Sequence, residues 1–415
     1  MTATPSAPAV GEWGVHDETS PLRTVIVHRP GREMERLTPE TRDHFLFDEI
    51  LWVERAQEEH DRFAAVLRSR GAEVLYVTDL LREALADEEA RRFCLGATLD
   101  PLVFGDIASQ DIAEVLGSLE ADRLADILIA GATREELQEL GVEVRSLSLS
   151  RRDPSDFVLN PLPNHLFSRD ASAWVANGVA VNAMQRLARR RESIHMMTIY
   201  RHHPRFAASG GPRMWSNGHT GGPATVEGGD VLVLSDSSVL IGLSERTTPA
   251  GVERLAGELL GGDSPVEEVI ALAMPHQRSM MHLDTVMTVV DQESVTRYAG
   301  LGELESFTIR RRGDRYDTRA HAASEMDGVI ARGLGVDSLR VLTPELDRYS
   351  AAREQWDDGC NLLAVAPGVV VGYERATASN QYLRDNGVEV LEVAGSELGR
   401  GRGGPRCMSC PVLRG

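Results

Sequence analysis

The sequence predicts an α/β fold of about five strand–hairpin–helix modules, stacked as a ring or propeller and interrupted by a small helical insertion. Three observations predict it. Strand–turn–strand patterns recur along residues 171–374, several of them followed by helical sequence. A separate strand–helix–strand unit stands near the N-terminus. Residues 79–149 differ from both and have helical periodicity. Such modules leave an apolar face bare unless neighbours cover it, so repetition favours stacking around an axis. A doubly wound sheet is the alternative arrangement of the same elements.

Residues 1–12 lack the basic start and apolar core of a signal peptide and are expected to form a disordered tail. Val25, Ile26 and Val27 in "PLRTVIVHRPG" make an apolar run stopped by Pro30-Gly31, as in a buried strand. A helix is expected in "DEILWVERAQEEHDRFAAVLRSRG". Ile50, Val53, Phe63, Val66 and Leu67 fall near one face there, and Gly71 ends it. "AEVLYV" is the next strand. In residues 79–149, Thr133-x-x-Glu136 is a capping box, and four or five helices are expected. The main body is then 13–78 together with 150–415. Its hairpins are "ASAWVANGVAVNAM", turning at Asn177-Gly178; "DVLVLSDSSVLIGLSERT"; "DTVMTVVDQESVTRY"; and "CNLLAVAPGVVVGYER", turning at Pro367-Gly368. Pro249 opens one following helix, and "ASNQYLRDNG" is another, leading into the strand "VEVLEV".

With 415 residues and 42% apolar composition, the chain can bury a large core. Forty-four Lys and Arg face 63 Asp and Glu, a formal charge of −19, which disfavours nucleic acid and anionic membranes and is compatible with a cationic substrate. No apolar run reaches the length of a membrane span. Cys94, Cys360, Cys407 and Cys410 are too few and scattered for a disulfide scaffold, so a cytoplasmic protein with free thiols is expected.

Reactive residue types fall at matching places in the repeats. Asp170 precedes the first hairpin, Glu227 and Asp230 the second, and His282 and Asp284 the third. Asp357, Asp358 and Asn361 precede the fourth. An Asp before a strand commonly forms only a cap or turn. Around an axis, however, matching places share one end, and these groups would converge with Cys407. Two carboxylates can grip a planar guanidinium by paired, charge-assisted hydrogen bonds. Its resonance-stabilised carbon calls for a thiolate nucleophile, which the cation itself would favour. A histidine kept protonated by a carboxylate can supply the leaving nitrogen's proton.

"LPNHLFSRD", "ARRRES", "VEGGD", "IGLSERT", "MHLDTV" and "GSELGRGRGGPRCMSCP", in this order, resemble the arginine deiminase family of guanidine-modifying (pentein) enzymes. The resemblance runs from about Trp13 to the C-terminus. It implies a five-bladed, pseudo-symmetric α/β propeller that hydrolyses L-arginine to L-citrulline and ammonia without metal or organic cofactor. It implies Cys407 as nucleophile, His282 as general acid and then base, Glu227 as its partner, and Asp170 and Asp284 as the guanidinium clamp. Arg189, Arg246 and Asn164 match positions that hold the substrate's other end, and Phe167 matches an apolar wall. Arg402 matches a mobile gate, and Asp230 is a weaker candidate. A homo-oligomer, dimer or tetramer, is also expected.

Two positions depart from relatives. Arg406 stands where some carry histidine and would either lower the Cys407 pKa or face solvent. Cys360 replaces a small polar residue and is read as core packing. Agmatine deiminase and amidinotransferase are the rival guanidine enzymes, the former disfavoured by Arg189 and Arg246. A non-enzymatic metal or redox protein built on Cys407-Met408-Ser409-Cys410 is the rival of another class. A structural zinc site would need about four ligands, and no second C-x-x-C exists.

Overall fold

The computed structural model describes residues 13–415; the tail expected at 1–12 lies outside them. Its strands form five separate sheets and one short two-stranded pair, not a single doubly wound sheet. Each of the five repeats one pattern. An antiparallel hairpin is followed by a helix, which returns the chain to a third strand parallel to the second. Ser172–Val175, Gly178–Val181 and Arg213–Asn217 follow it, as do Leu363–Ala366, Val369–Tyr373 and Glu389–Val393. The returning helices of these two are Arg190–His202 and Thr377–Asp385.

The first sheet is completed from the far end of the chain. Cys410–Arg414 pairs antiparallel with Leu22–Val27, which pairs parallel with Glu73–Tyr76. The N-terminal strand–helix–strand unit therefore takes its missing hairpin strand from the C-terminus. Its helix, Val53–Ser69, begins later than expected and buries Phe63 and Leu67. Ile50 lies before it and is 41% exposed. Val231–Ser235, Ser238–Leu243 and Glu268–Ala273 form the third sheet, with Pro249–Gly261 as the returning helix. A hairpin that sequence reasoning missed, Ser306–Arg312 with Arg315–His321, widens this sheet. It is inserted between the second and third strands of the fourth sheet, Met287–Val289, Ser294–Arg297 and Arg340–Leu342.

One turn shifts from its expected place. Val175 pairs with Gly178, so Ala176-Asn177 makes the bend, with Ala176 at φ +49°. Gly178 belongs to the strand because a Cβ there would lie 2.7 Å from the Trp215 ring. Residues 77–150 carry seven α-helices, not four or five; three have only four to six residues, too short to show periodicity. The Thr133 capping box is formed, and Glu136 also receives Arg36.

Apolar clusters join each sheet to the next. Ile26 and Val412 share one with Trp174 and Val231, together with the helices' Leu81, Ile112 and Leu124. Leu232 and Leu240 pack with Met287 and Val295. Val290 and Leu342 pack with Leu362 and Val370, and Val371 and Leu363 pack with Val25 and Val27. The links thus run first to second, onward to the fifth, and from the fifth back to the first.

A buried acid fastens the N-terminal segment to this body. Glu18 accepts hydrogen bonds from Arg169 Nη2 at 3.0 Å, Arg406 Nη2 at 3.0 Å and Nε at 3.2 Å, and Val233 N at 3.2 Å. Burial resists the charge, but Arg406 and Arg169 hold the carboxyl down at about 2. Because the folded value is depressed, its contribution to stability is complete above the ordinary carboxyl range and is lost as pH falls toward about 2. Glu18→Ala strands two buried guanidiniums and is expected to cost about 3–5 kcal/mol. Urea unfolding measures this; an unchanged midpoint would remove Glu18 from the structural account.

Candidate active site

The turns preceding the first strand of each sheet meet in one buried place. The nucleophile candidate Cys407 precedes Cys410–Arg414 and is buried. Its carbonyl accepts from Arg169 N at 3.1 Å, beside Asp170 of the second sheet. The Asn361 amide, from the fifth sheet, donates to Cys407 Sγ at 3.1 Å and accepts from Cys407 N at 3.1 Å. Asp284 Oδ2, from the fourth, lies 3.6 Å from Sγ. His282 Nε2 is 2.8 Å from Glu227 Oε2 of the third, and His282 Nδ1 is 3.7 Å from Asp170 Oδ1. All five predicted catalytic residues are therefore brought together and buried.

Glycines make this approach possible. A Cβ on Gly229 of "VEGGD" would come within 2.7 Å of His282 Nδ1 and 3.0 Å of Asp170 Oδ1. A Cβ on Gly403 would collide with the Phe167 ring and press on Cys407 Cβ. Gly401, Gly403 and Gly404 do not have positive φ. Gly401, Gly403 and Gly404 thus serve close packing. In this stretch the left-handed residue is Arg402, at φ +66°.

The electrostatics separate the groups. Burial works against a charged His282, but Asp170, the Glu227 hydrogen bond and Asp230 prevail and raise it to about 9. Glu227 goes the other way: against burial, Arg246 and His282 hold it at about 2. Cys407 is pushed well above the usual thiol range by burial and by the charges of Asp284, Asp170 and Asp358, with Arg406 opposing.

The other predicted residues divide into engaged and available. Arg189 is fully engaged, with Nη1 on Asp170 Oδ2 at 2.6 Å, Nη2 on Glu192 at 2.8 Å and on the Asn164 carbonyl at 3.1 Å. Asn164 donates to the Phe45 carbonyl at 2.6 Å, and Phe167 stacks on Phe47. Asp230 is engaged too. It accepts from Ser244 Oγ, Thr247 Oγ1 and Leu283 N, tying the 228–230 turn to the His282 segment. Arg246 has only looser partners: Glu227 Oε2 at 3.6 Å, Glu245 at 3.5 Å and Met281 Sδ at 3.8 Å. Arg402 Nη1 donates to the Trp356 carbonyl at 2.8 Å, while Nε and Nη2 have no hydrogen-bond partner. Asp284 Oδ1 is likewise unpartnered.

Arg406 does not face solvent. It is 1% exposed and donates to Asp284 Oδ2 at 2.8 Å as well as to Glu18. Cys360 is buried beside the Thr288 strand, and its thiol is pushed up to about 12 by burial. Cys410 lies in a strand against Ser172 and Tyr200, unbonded to Cys407. Sequence reasoning placed Asn361 among the converging groups but gave it no role. Its place before the fourth hairpin was the available signal.

Among the described residues, Asp170, Glu227 and His282 present possible metal-ligand atoms within 4.8 Å of one another. The donor set does not suit a resident cation. Arg246 and Arg189 already face Glu227 Oε2 at 3.6 and 3.9 Å and would repel one.

A family model described as arginine deiminase matches residues 43–414. An arginine deiminase of Rhodococcus opacus (strain B4) is 47% identical over 100% of this chain and 99% of its own length. One from Mycobacterium tuberculosis (strain ATCC 25618 / H37Rv) is 47% identical over 97% and 98%. Among solved structures, an amidinotransferase of the saxitoxin biosynthetic pathway from Microseira wollei matches with a TM-score of 0.55 at 12% identity, covering 97% of each chain. The N-terminal domain of an arginine dihydrolase from the ornithine–ammonia cycle in cyanobacteria matches with 0.53 at 12% identity, covering 94% of this chain and 97% of that one. At such identities the structural likeness is one of α/β fold, whereas the family model and the near-full-length relatives settle membership: the chain belongs to the arginine deiminase family.

Proposed function

We propose that this protein hydrolyses L-arginine to L-citrulline and ammonia. The observation that carries the reading is a buried cysteine between Asp284 and Asn361, in the same cluster of turns as a histidine that Glu227 and Asp170 face and whose pKa they raise. The five modules are read as a five-bladed, pseudo-symmetric propeller, supported by apolar clusters linking each sheet to the next. In this reading residues 79–149 form a helical domain inserted between the first and second blades. No helix among the described residues is long and apolar enough to cross a membrane. A cytoplasmic homo-oligomer is proposed on family likeness alone.

Arginine brings its positive charge into a chamber rich in carboxylates. Asp284 Oδ1 and Asp170 Oδ1 grip the guanidinium, while Asp170 Oδ2 stays on Arg189. The cation cancels the field that holds Cys407 as a thiol, and the thiol gives up its proton to solvent as substrate binds, leaving the thiolate. Sγ attacks the guanidinium carbon, and the central carbon becomes tetrahedral. The carbon–nitrogen bond then breaks, and ammonia departs with the proton of His282. The resulting thiouronium adduct has a planar carbon again. Neutral His282 takes a proton from water, the oxygen adds to that carbon, and the thiolate leaves, releasing citrulline. Arg246, with its loose partners, is the guanidinium best placed to exchange them for the α-carboxylate. Asp230 positions His282 through its turn.

The test is release of equal amounts of citrulline and ammonia from arginine with no amine acceptor present. Faster turnover of agmatine, or dependence on an acceptor amine, would overturn the reading. Cys407→Ser is expected to lose activity by roughly a thousandfold or more, while Cys410→Ser keeps most of it; equal losses would point to a dithiol mechanism. Because His282 must be protonated for ammonia to leave, activity should fall as pH rises through about 9. Glu227→Gln removes a charge that favours the imidazolium. The alkaline limb should then move about one pH unit or more downward, and an unmoved limb would exclude the Glu227–His282 pair as its origin.

A further inference from the structure

A cavity of about 520 Å³ shares no residue with the cysteine site. It lies where the first sheet meets the helices of residues 77–150. Leu22–Val27 and Glu73–Tyr76 run parallel, and His28 and Thr78, just past their carboxyl ends, line it. Crevices at such strand ends are where parallel sheets commonly take ligands. The helix Val77–Leu85 starts there, and no side chain caps its start. Its first N–H groups therefore favour a negative charge.

Donors in this cavity exceed the acceptors left for them. Arg29, Arg32, Arg82 and Arg123 line it, in a chain whose formal charge is −19. Arg123 is exposed and makes no hydrogen bond or ion pair among the described residues. Arg82 Nη2 donates to Asp126 at 2.8 Å, but its Nε is buried without a partner. The acids are better supplied. Glu33 Oε1 accepts from Gly31 N at 2.7 Å and lies 3.1 Å from His28 Nε2. Asp126 is taken by Arg82, and Asp79 lies 3.6 Å from the same guanidinium. Arg29 and Arg32 pair with Asp61 at 2.8 Å and Glu136 at 2.6 Å, at the surface, where such pairs hold their arginines weakly. The surplus is a free guanidinium, a free Nε–H and an open helix start.

We propose that this cavity binds a small multivalent oxyanion, carrying phosphate or carboxylate oxygens, with Arg123 and Arg82 as its principal partners. A single charge would meet only one of these arginines. A ligand with several can satisfy Arg123, Arg82 Nε and the helix start together. The planar guanidinium fork suits both kinds of oxygen. The volume falls in the range of small-molecule sites, about 300–1,000 Å³. Arg82 and Arg123 stand on the helices Val77–Leu85 and Ala121–Ala130, while Arg29 and Arg32 follow the first strand. A ligand held by both groups ties the helices to the first sheet, so binding stabilises the fold. Neither Cys407 nor His282 takes part, and the site stands whatever reaction they perform.

Calorimetric titration of the full chain with inorganic pyrophosphate and, separately, with citrate tests this at fixed ionic strength. At least one probe is expected to bind at one site per chain and to raise the Tm. Binding of pyrophosphate alone would assign the site to phosphate, and of citrate alone to carboxylate. Arg123→Glu should weaken that binding about tenfold or more. It should leave the Tm of the ligand-free protein unchanged, because Arg123 holds no partner. Arg82→Gln should weaken binding as well. Arg315→Glu makes the same charge change at an exposed arginine outside the cavity and should leave the affinity within about twofold. Failure of both probes to bind, undiminished binding in Arg123→Glu, or equal weakening by Arg315→Glu would overturn the proposal. Citrulline release is read separately on the same protein, so this site and the deiminase reading can fail independently.

Discussion

The structure depends on balancing charge in a dry interior. Carboxylates gathered to hold a cation repel one another until the cation arrives, and burial magnifies that cost. Arg406 is the permanent answer. One guanidinium joins Glu18 to Asp284, so the N-terminal segment, the fourth sheet and the cysteine-bearing turn share one fixed charge. Arg189 does the same for Asp170, and Arg246 for Glu227. Each of these buried carboxylates has an arginine beside it, and the arginines differ in how firmly they are held. That difference separates the groups that build the chamber from those that can exchange partners with a ligand.

Much of this was legible in the sequence because the repeat preserves register. In every sheet the turn before the first strand points to the same place, so residues at matching positions had to meet. Asp170, Glu227, His282 and Asp284 could be placed together on that ground. The same logic held Asn361, which contacts Cys407 through both ends of its amide. The hairpins could be read because β-branched runs flank short turns. The Asn177-Gly178 turn misled because packing, not turn chemistry, decides that glycine: the Trp215 ring occupies the space where its Cβ would stand.

What stayed hidden is of one physical kind. Partner choice between distant charges leaves no periodic trace. Glu18 to Arg406 spans nearly the whole chain, as does the pairing of Leu22–Val27 with Cys410–Arg414. The C-terminal strand is a five-residue run beginning Cys410-Pro411, which has no alternation to announce it. The short helices of residues 77–150 escaped for the same reason, since a single turn shows no face. Likewise, glycine in sequence reads as freedom, and only coordinates reveal that Gly229 and Gly403 are there because nothing larger fits.

The high pKa of the resting Cys407 follows from this architecture and restricts its chemistry. Asp284, Asp170 and Asp358 all oppose a thiolate, and Arg406, already shared with two acids, offsets them only in part. In the proposed reaction, a cysteine whose thiolate is disfavoured in this way would react poorly with neutral electrophiles. A cation seated on the same carboxylates reverses the sign of the local field and generates the thiolate at the moment its own electrophilic carbon is in reach. Discrimination and activation therefore arise from one interaction. In the proposed reaction, the acids that would take the substrate's charge are also those that raise the Cys407 thiol in its absence, so selectivity for a guanidinium would require no separate device.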